Sequence, residues 1–364
     1  MRPTIVSTTL TGSNADTIGD ALASVVSQVD RCIVIDTGVQ DRSLEVAREI
    51  AGEKLLVREF PWRNDFAAAR NFALHAAEIA GARWAMTVDT DERLIFPPDF
   101  DLKQQLSGTK SRVLLVSYAD GTYTKERIMR LPAKVRWRGP THEALDGQRP
   151  GESTLLAGVY FTELEKDESQ FQHKFERDAA ILTAYIQEHP KDPRWHYYLG
   201  TTLQSLKKHE EAIAAFRACA DLRGWNEEGA WACYRMAECF CTLKRWSDAI
   251  DACAYGLSIR PATAELAWLA GYACYKLKRY EDAIAWSNMA MVNGLYDGAG
   301  ASFTRIGFRH LPGLYEGPYE VLKSTFLEMG NKDAAAVADT EYQTARAARE
   351  GRPRTDGDGA PTGS

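Results

Sequence analysis

The sequence has little that would place it in a membrane, on nucleic acid or in a disulfide scaffold. Across 364 residues no stretch approaches the roughly 18 consecutive apolar residues that cross a bilayer. The net charge is −6, so the chain lacks the basic surface that a predominantly nucleic-acid-binding protein needs. The first residues, MRPTIVSTTLTGSNAD, hold a short apolar run that turns polar at once. They lack the apolar core and small-residue cleavage site of a secretory leader. The seven cysteines are an odd number and form no CxxC pair, so neither a disulfide framework nor a zinc site is expected. Six of them (Cys219, Cys233, Cys239, Cys241, Cys253 and Cys274) fall in helical segments. They read as small buried hydrophobes in a reducing cytoplasm. Apolar residues make up 45% and charged residues 26%, which excludes a disordered or collagen-like chain. The length predicts two domains or slightly more.

What is present changes character midway. Residues 4–9, 32–35, 54–60 and 84–88 are short β-rich runs, and residues 15–28, 43–50 and 66–80 between them read as helices. Such alternation predicts a mainly parallel sheet covered by helices, with ligands bound beyond the C-terminal strand ends. Asp36 and the Asp89-Thr90-Asp91 cluster fall at those ends. Residues 113–116 and 124–131 flank Ala119-Asp120-Gly121, a hairpin signal. With candidate strands at 135–137 and 155–161, they predict an antiparallel extension of the sheet.

From about residue 170 the pattern is helical throughout. Three segments begin at Trp195, Trp231 and Trp268 and share an Ala-Ile pair at Ala212, Ala249 and Ala283, spaced by 37 and 34 residues. Paired helices at a 34-residue period resemble the tetratricopeptide repeat. Gly200, Ala237 and Gly271 each precede the paired alanine by 12 residues, where two helices must approach closely. Residues 319–349, with Met329-Gly330-Asn331 as a turn, read as a capping pair, and the tryptophans at repeat positions as core. The expected division is 1–168 for the α/β domain, 169–349 for the repeats and 350–364 for a disordered tail rich in Gly, Pro and Asp.

The chemistry concentrates in PWRNDFAAARNFALHAAEIAGARWAMTVDTDERL, residues 61–94. Two carboxylates one residue apart at a strand end suit a hard dication such as Mg²⁺ or Mn²⁺, which could bridge a diphosphate and neutralise a leaving group. A solvated acidic loop is the plain alternative. The order and spacing of Asp65-Phe66, Ala69-Arg70-Asn71, Ala73-Leu74, Trp84 and Asp89-Thr90-Asp91-Glu92 resemble the family 2 glycosyltransferases of GT-A fold. Residues 14–25 look like that family's first helix, and Asp36, Thr37, Gly38 and Asp41 match its second strand and loop. Val39, Gln40 and Arg42 depart from it. The resemblance covers about residues 3–145.

The resemblance implies roles. Asp36 would accept a hydrogen bond from the nucleotide base, most often uracil, and Thr8 on the first strand is a further candidate nucleotide contact. Arg70 would pair with the nucleotide phosphate or with a neighbouring carboxylate. Asp89 would contact the ribose or a metal-bound water, Asp91 would ligate the metal, and Glu92 would support them. Trp137-Arg138-Gly139-Pro140-Thr141-His142-Glu143 resembles a late GxxHE stretch of the same group. His142 would complete the metal shell or bind the diphosphate, and Glu143 would deprotonate the acceptor, with Asp120 as the rival base. Relatives often place another histidine after the following strand, where residues 159–163 hold none. His173 falls later on a helix, and Lys174 and Arg177 read as a solvated face.

The implied function is an inverting transferase using Mn²⁺ or Mg²⁺ and a nucleotide sugar, UDP-linked by expectation. The acceptor is a protein, a peptide or a saccharide, and the repeats bind it or form a homodimer. The alternative is an inactive transferase-like scaffold.

Overall fold

The computed structural model describes residues 4–296 and 308–351. The expectation of a disordered tail at 350–364 falls almost entirely outside the described residues. The chain divides into two compact units between Asp167 and Glu168.

The first unit runs β1 (Ile5–Thr11), α1 (Ala15–Val25), β2 (Arg31–Asp36), α2 (Ser43–Ala51), β3 (Leu55–Glu59), α3 (Phe66–Ile79), β4 (Trp84–Thr87), β5 (Glu92–Ile95) and α4 (Leu102–Gly108). It continues through β6 (Val113–Tyr118), β7 (Thr124–Arg130), β8 (Arg136–Arg138), β9 (Ala144–Asp146) and β10 (Ser153–Glu163). Eight strands form one sheet in the order β3-β2-β1-β4-β7-β6-β10-β5. The β3-β2-β1-β4 half is parallel. Its central strands are buried on both faces, as Cys32-Ile33-Val34-Ile35 in β2 shows, which is why they read as continuous apolar runs.

Strand β7 is antiparallel to both β4 and β6. Two details depart from the expected antiparallel extension. Strand β10 runs parallel to β6, pairing antiparallel only with β5. Strand β8 leaves the sheet and pairs with β9 in a separate ribbon. The Asn71 side chain explains this detachment: it accepts from the Trp137 N–H and donates to the Trp137 carbonyl, both at 2.9 Å, tying β8 to α3.

Strand direction decides where function can gather. Because β7 reverses β4, β6 reverses β7 and β10 follows β6, strands β1, β2, β4, β6 and β10 all end at one edge, where β7 begins. Open sheets of this kind bind ligands at that edge.

The second unit is helical: α5 (Glu168–Glu188), α6 (Pro193–Ser205), α7 (His209–Asp221), α8 (Asn226–Thr242), α9 (Trp246–Ile259), α10 (Ala264–Lys276), α11 (Tyr280–Tyr296), α12 (Leu311–Leu314), α13 (Gly317–Glu328) and α14 (Lys332–Glu350). Helices α6/α7, α8/α9 and α10/α11 are the three repeats. Their period reaches the backbone: the turn inside each pair holds a lysine in the left-handed region, Lys207, Lys244 and Lys278, with φ of 61°, 58° and 59°. Gly200 faces the Phe216 ring and Gly271 faces Ser287, so the small positions are where paired helices touch. Trp195 and Trp231 are buried, and the six helical cysteines are free thiols, five of them buried. Among the described residues no helix is long and apolar enough to cross a membrane.

Candidate active site

Helix α3 is set by the residue that precedes it. The Asp65 carboxylate accepts from the Ala68 N–H at 2.8 Å, an N-cap that fixes the start of the helix. The Phe66 N–H donates to the Pro140 carbonyl at 2.8 Å and so fastens the 139–143 loop beside it. Arg70 and Asn71 follow one turn on. Asn71 clamps β8, while Arg70 points to the sheet edge with its guanidinium 5.5 Å from the Trp137 ring centroid.

Arg70 joins two carboxylates that the sequence keeps far apart. Its Nη1 lies 2.9 Å from Asp89 Oδ1, and its Nε donates to Glu143 Oε1 at 2.7 Å. Asp89 Oδ2 accepts from Arg127 Nη2 at 3.1 Å. Arg127 also pairs with the buried Glu92, which accepts from Lys125 at 3.0 Å, and Lys125 pairs with Glu163. Lys125 and Arg127 sit two apart on β7 and therefore share a face. Asp91 accepts from Lys166 Nζ at 2.6 Å.

Charge in this network is self-consistent. Burial disfavours charged Arg70, but Asp89 and Glu143 override it and raise the guanidinium above its ordinary range. Burial likewise pushes the Asp89 carboxyl up, and Arg70, Arg127 and Lys125 outweigh it, holding Asp89 well below the usual carboxylate range. Arg127 is raised by Glu92 and Asp89 against its own desolvation.

The remaining candidates are placed as follows. Asp36 ends β2 at the same edge, and its Oδ1 accepts from the N–H groups of Gly38 and Val39, both at 2.8 Å. Thr8 is 2% exposed within β1, against the Met86 carbonyl and Thr87 of β4. His142 stands next to Glu143 with φ of 50° and is half-buried. Asp120 is exposed in the β6–β7 turn and accepts from the Thr122 N–H. His173, Lys174 and Arg177 belong to α5 in the second unit, where Arg177 pairs with the buried Asp178.

The fold thus brings Asp89, Asp91, Arg70 and Glu143 to one edge and adds Lys125, Arg127, Glu163 and Lys166, which the motif did not single out. The Lys125/Arg127 alternation on a strand was the available signal. A divalent ion does not fit the expected ligands as they stand. Both Asp89 oxygens are engaged by guanidinium groups and Asp91 by an ammonium. Among the described residues no three His, Cys, Asp or Glu side chains are grouped to hold a metal.

The chain is similar to several known proteins. Residues 4–142 match the model of glycosyl transferase family 2, and this segment is a family 2 glycosyltransferase domain. A TPR repeat-containing protein of Synechococcus elongatus is 37% identical over 217 residues, covering 55% of this chain and 51% of that protein. The SPbeta prophage-derived glycosyltransferase SunS of Bacillus subtilis is 24% identical over 230 residues, 58% of this chain and 52% of its own length. The chain therefore spans about half the length of the curated relatives it matches. The crystal structure of MamA covers 52% of this chain and 100% of its own, at a TM-score of 0.39 and 14% identity.

Proposed function

We propose that this protein transfers a sugar from a nucleotide-sugar donor to an acceptor docked by the helical repeats, with inversion at the anomeric carbon. The observation that carries the reading is the Arg70 bridge between Asp89 and Glu143, built by a family 2 domain at the ligand-binding edge of its sheet. Asp36, at the end of β2, is the base-reading residue, and a uracil imide is the group a carboxylate there would accept from. The diphosphate lies toward Arg70, Lys125, Arg127 and Lys166.

In the transfer step the acceptor nucleophile bonds to the anomeric carbon as the carbon–oxygen bond to the diphosphate breaks. The nucleoside diphosphate leaves with the bonding pair, and Glu143 takes the acceptor proton. Arg70 orients Glu143 through Oε1 while its Nη1 stays on Asp89, so base and leaving-group side share one rigid group. The repeats suit a protein, peptide or saccharide acceptor, because stacked helix pairs present extended surfaces.

A second reading, an inactive scaffold, is favoured by the closed ion pairs on Asp89 and Asp91. Nucleotide release from UDP-, GDP- and dTDP-sugars decides between them. Release from one donor, falling about 100-fold or more in Glu143→Gln with donor binding retained, supports the transferase. Absence of both release and binding for every donor leaves the scaffold.

A further inference from the structure

Lys166 lies against Asp91, the carboxylate that the family resemblance would give to a metal ion. It follows β10, which ends at the same edge as β4, and the Leu164 N–H donates to the Asp91 carbonyl at 2.9 Å, pinning the segment there. Its Nζ lies 2.6 Å from Asp91 Oδ2. A dication on that oxygen would sit against the ammonium, so the two exclude one another.

The carboxylates grouped around Asp91 at this edge are paired as well. Asp89 uses one oxygen for Arg70 and the other for Arg127, Glu92 takes Lys125 and Arg127, Glu163 takes Lys125, and Glu143 takes Arg70. A hard divalent ion at a diphosphate takes about six oxygen ligands, of which the protein supplies one or two carboxylates and the phosphates and water the rest, so Asp91 and Asp89 are the carboxylates it would need. The pairs differ in how readily they can change partner. Arg127 is 3% exposed in a closed network, whereas Lys166 and Asp91 are 28% and 31% exposed. Lysine is a point charge on a flexible stem, able to swing from a carboxylate to a phosphate without rebuilding its surroundings.

We infer that Lys166 supplies the positive charge that a divalent cation would otherwise bring to Asp91, and that the donor diphosphate binds there without a metal. No bond to Lys166 is made or broken: the ammonium neutralises the diphosphate as it arrives and as it departs. This rests on the transferase reading.

The test titrates the full chain with UDP in EDTA and in Mn²⁺, with GDP, CDP and dTDP alongside, and measures Mn²⁺ binding to the nucleotide-free protein by electron paramagnetic resonance. Wild-type affinity for its preferred nucleotide should change by less than about threefold between the two conditions, with no Mn²⁺ bound to the protein alone. Lys166→Ala should weaken that affinity about tenfold or more in EDTA, with Mn²⁺ recovering most of the loss through the vacated Asp91. Lys166→Arg should stay near wild type. Wild-type binding that needs Mn²⁺ by tenfold or more, Mn²⁺ held by the nucleotide-free wild type, or Lys166→Ala binding as wild type in EDTA each overturns the inference while sparing the transferase. No nucleotide bound in either condition overturns both.

Discussion

Arg70 and Glu143 stand 73 residues apart in the chain and 2.7 Å apart in the fold. The contact depends on two local devices: the Asp65 cap that starts α3, and the Asn71 clamp that draws β8 and the loop after it onto that helix. One Arg-Asn pair therefore performs two tasks. Asn71 holds backbone, and Arg70 holds two carboxylates of the sheet edge.

Asp89 makes the stability of the first unit depend on pH in a definite direction. Its folded pKa lies below the ordinary value because Arg70, Arg127 and Lys125 outweigh the effect of burial. A depressed carboxyl contributes stability that is present above the unfolded value of about 3.9 and is lost as pH falls through the folded one. Asp89→Asn should cost roughly 2 kcal/mol at pH 7, less than the 3–5 kcal/mol of a fully buried pair because Asp89 is 24% exposed. Urea unfolding of both proteins should show the gap narrowing progressively below about pH 4. A gap that is constant from pH 7 to pH 3 would remove the ion pairs as its cause.

Two glycines in the repeats should respond oppositely to the same substitution. Replacing Gly by Ala inside a helix gains about 1 kcal/mol of propensity. At Gly200 an added Cβ would meet the Phe216 ring at 2.6 Å, and overpacking of that kind costs about 1–3 kcal/mol. At Gly229 the nearest atom is Ile259 Cγ2 at 3.7 Å, ordinary contact. Thermal unfolding should show Gly200→Ala melting below wild type and Gly229→Ala above it. Equal shifts in one direction would mean that the α6–α7 crossing is not close-packed at Gly200.

The residues that were legible in the sequence are those with local spacing. The 65–92 motif kept its order because a capped helix and the strand after it fix positions by period, and Gly200 stood out because the repeat recurs around it. What the sequence left open was pairing across the sheet edge. Lys125 and Arg127 plainly share a face of β7, but nothing local says that this face borders Asp89 and Glu92. Lys166 lies in Glu163-Leu164-Glu165-Lys166-Asp167, a segment with no motif of its own, and nothing local says that β10 ends at the same edge as β4 with Leu164 bonded to Asp91. The parallel course of β10 was missed for the same reason: strand direction is a property of the assembled sheet, and the hairpin signal at residues 119–121 speaks only for β6 and β7.

Asp36 allows the loop building seen in the structure to be separated from the base reading proposed for it. Its Oδ1 already accepts two backbone N–H groups at 2.8 Å, from Gly38 and Val39, and Gly38 takes a φ of 117° that favours glycine. An asparagine carbonyl can accept the same two bonds, so Asp36→Asn should unfold within about 0.5 kcal/mol of wild type. It loses the charged acceptor, however, and a charge-assisted hydrogen bond contributes about 1.5–3 kcal/mol, so UDP affinity should fall about tenfold or more. Asp36→Ala removes both functions and should lose roughly 1 kcal/mol of stability together with the affinity. Calorimetric titration and urea unfolding of the two variants distinguish the roles. If Asp36→Asn binds UDP as tightly as wild type, the residue serves its own turn alone, and selection of the base must come from another group at this edge.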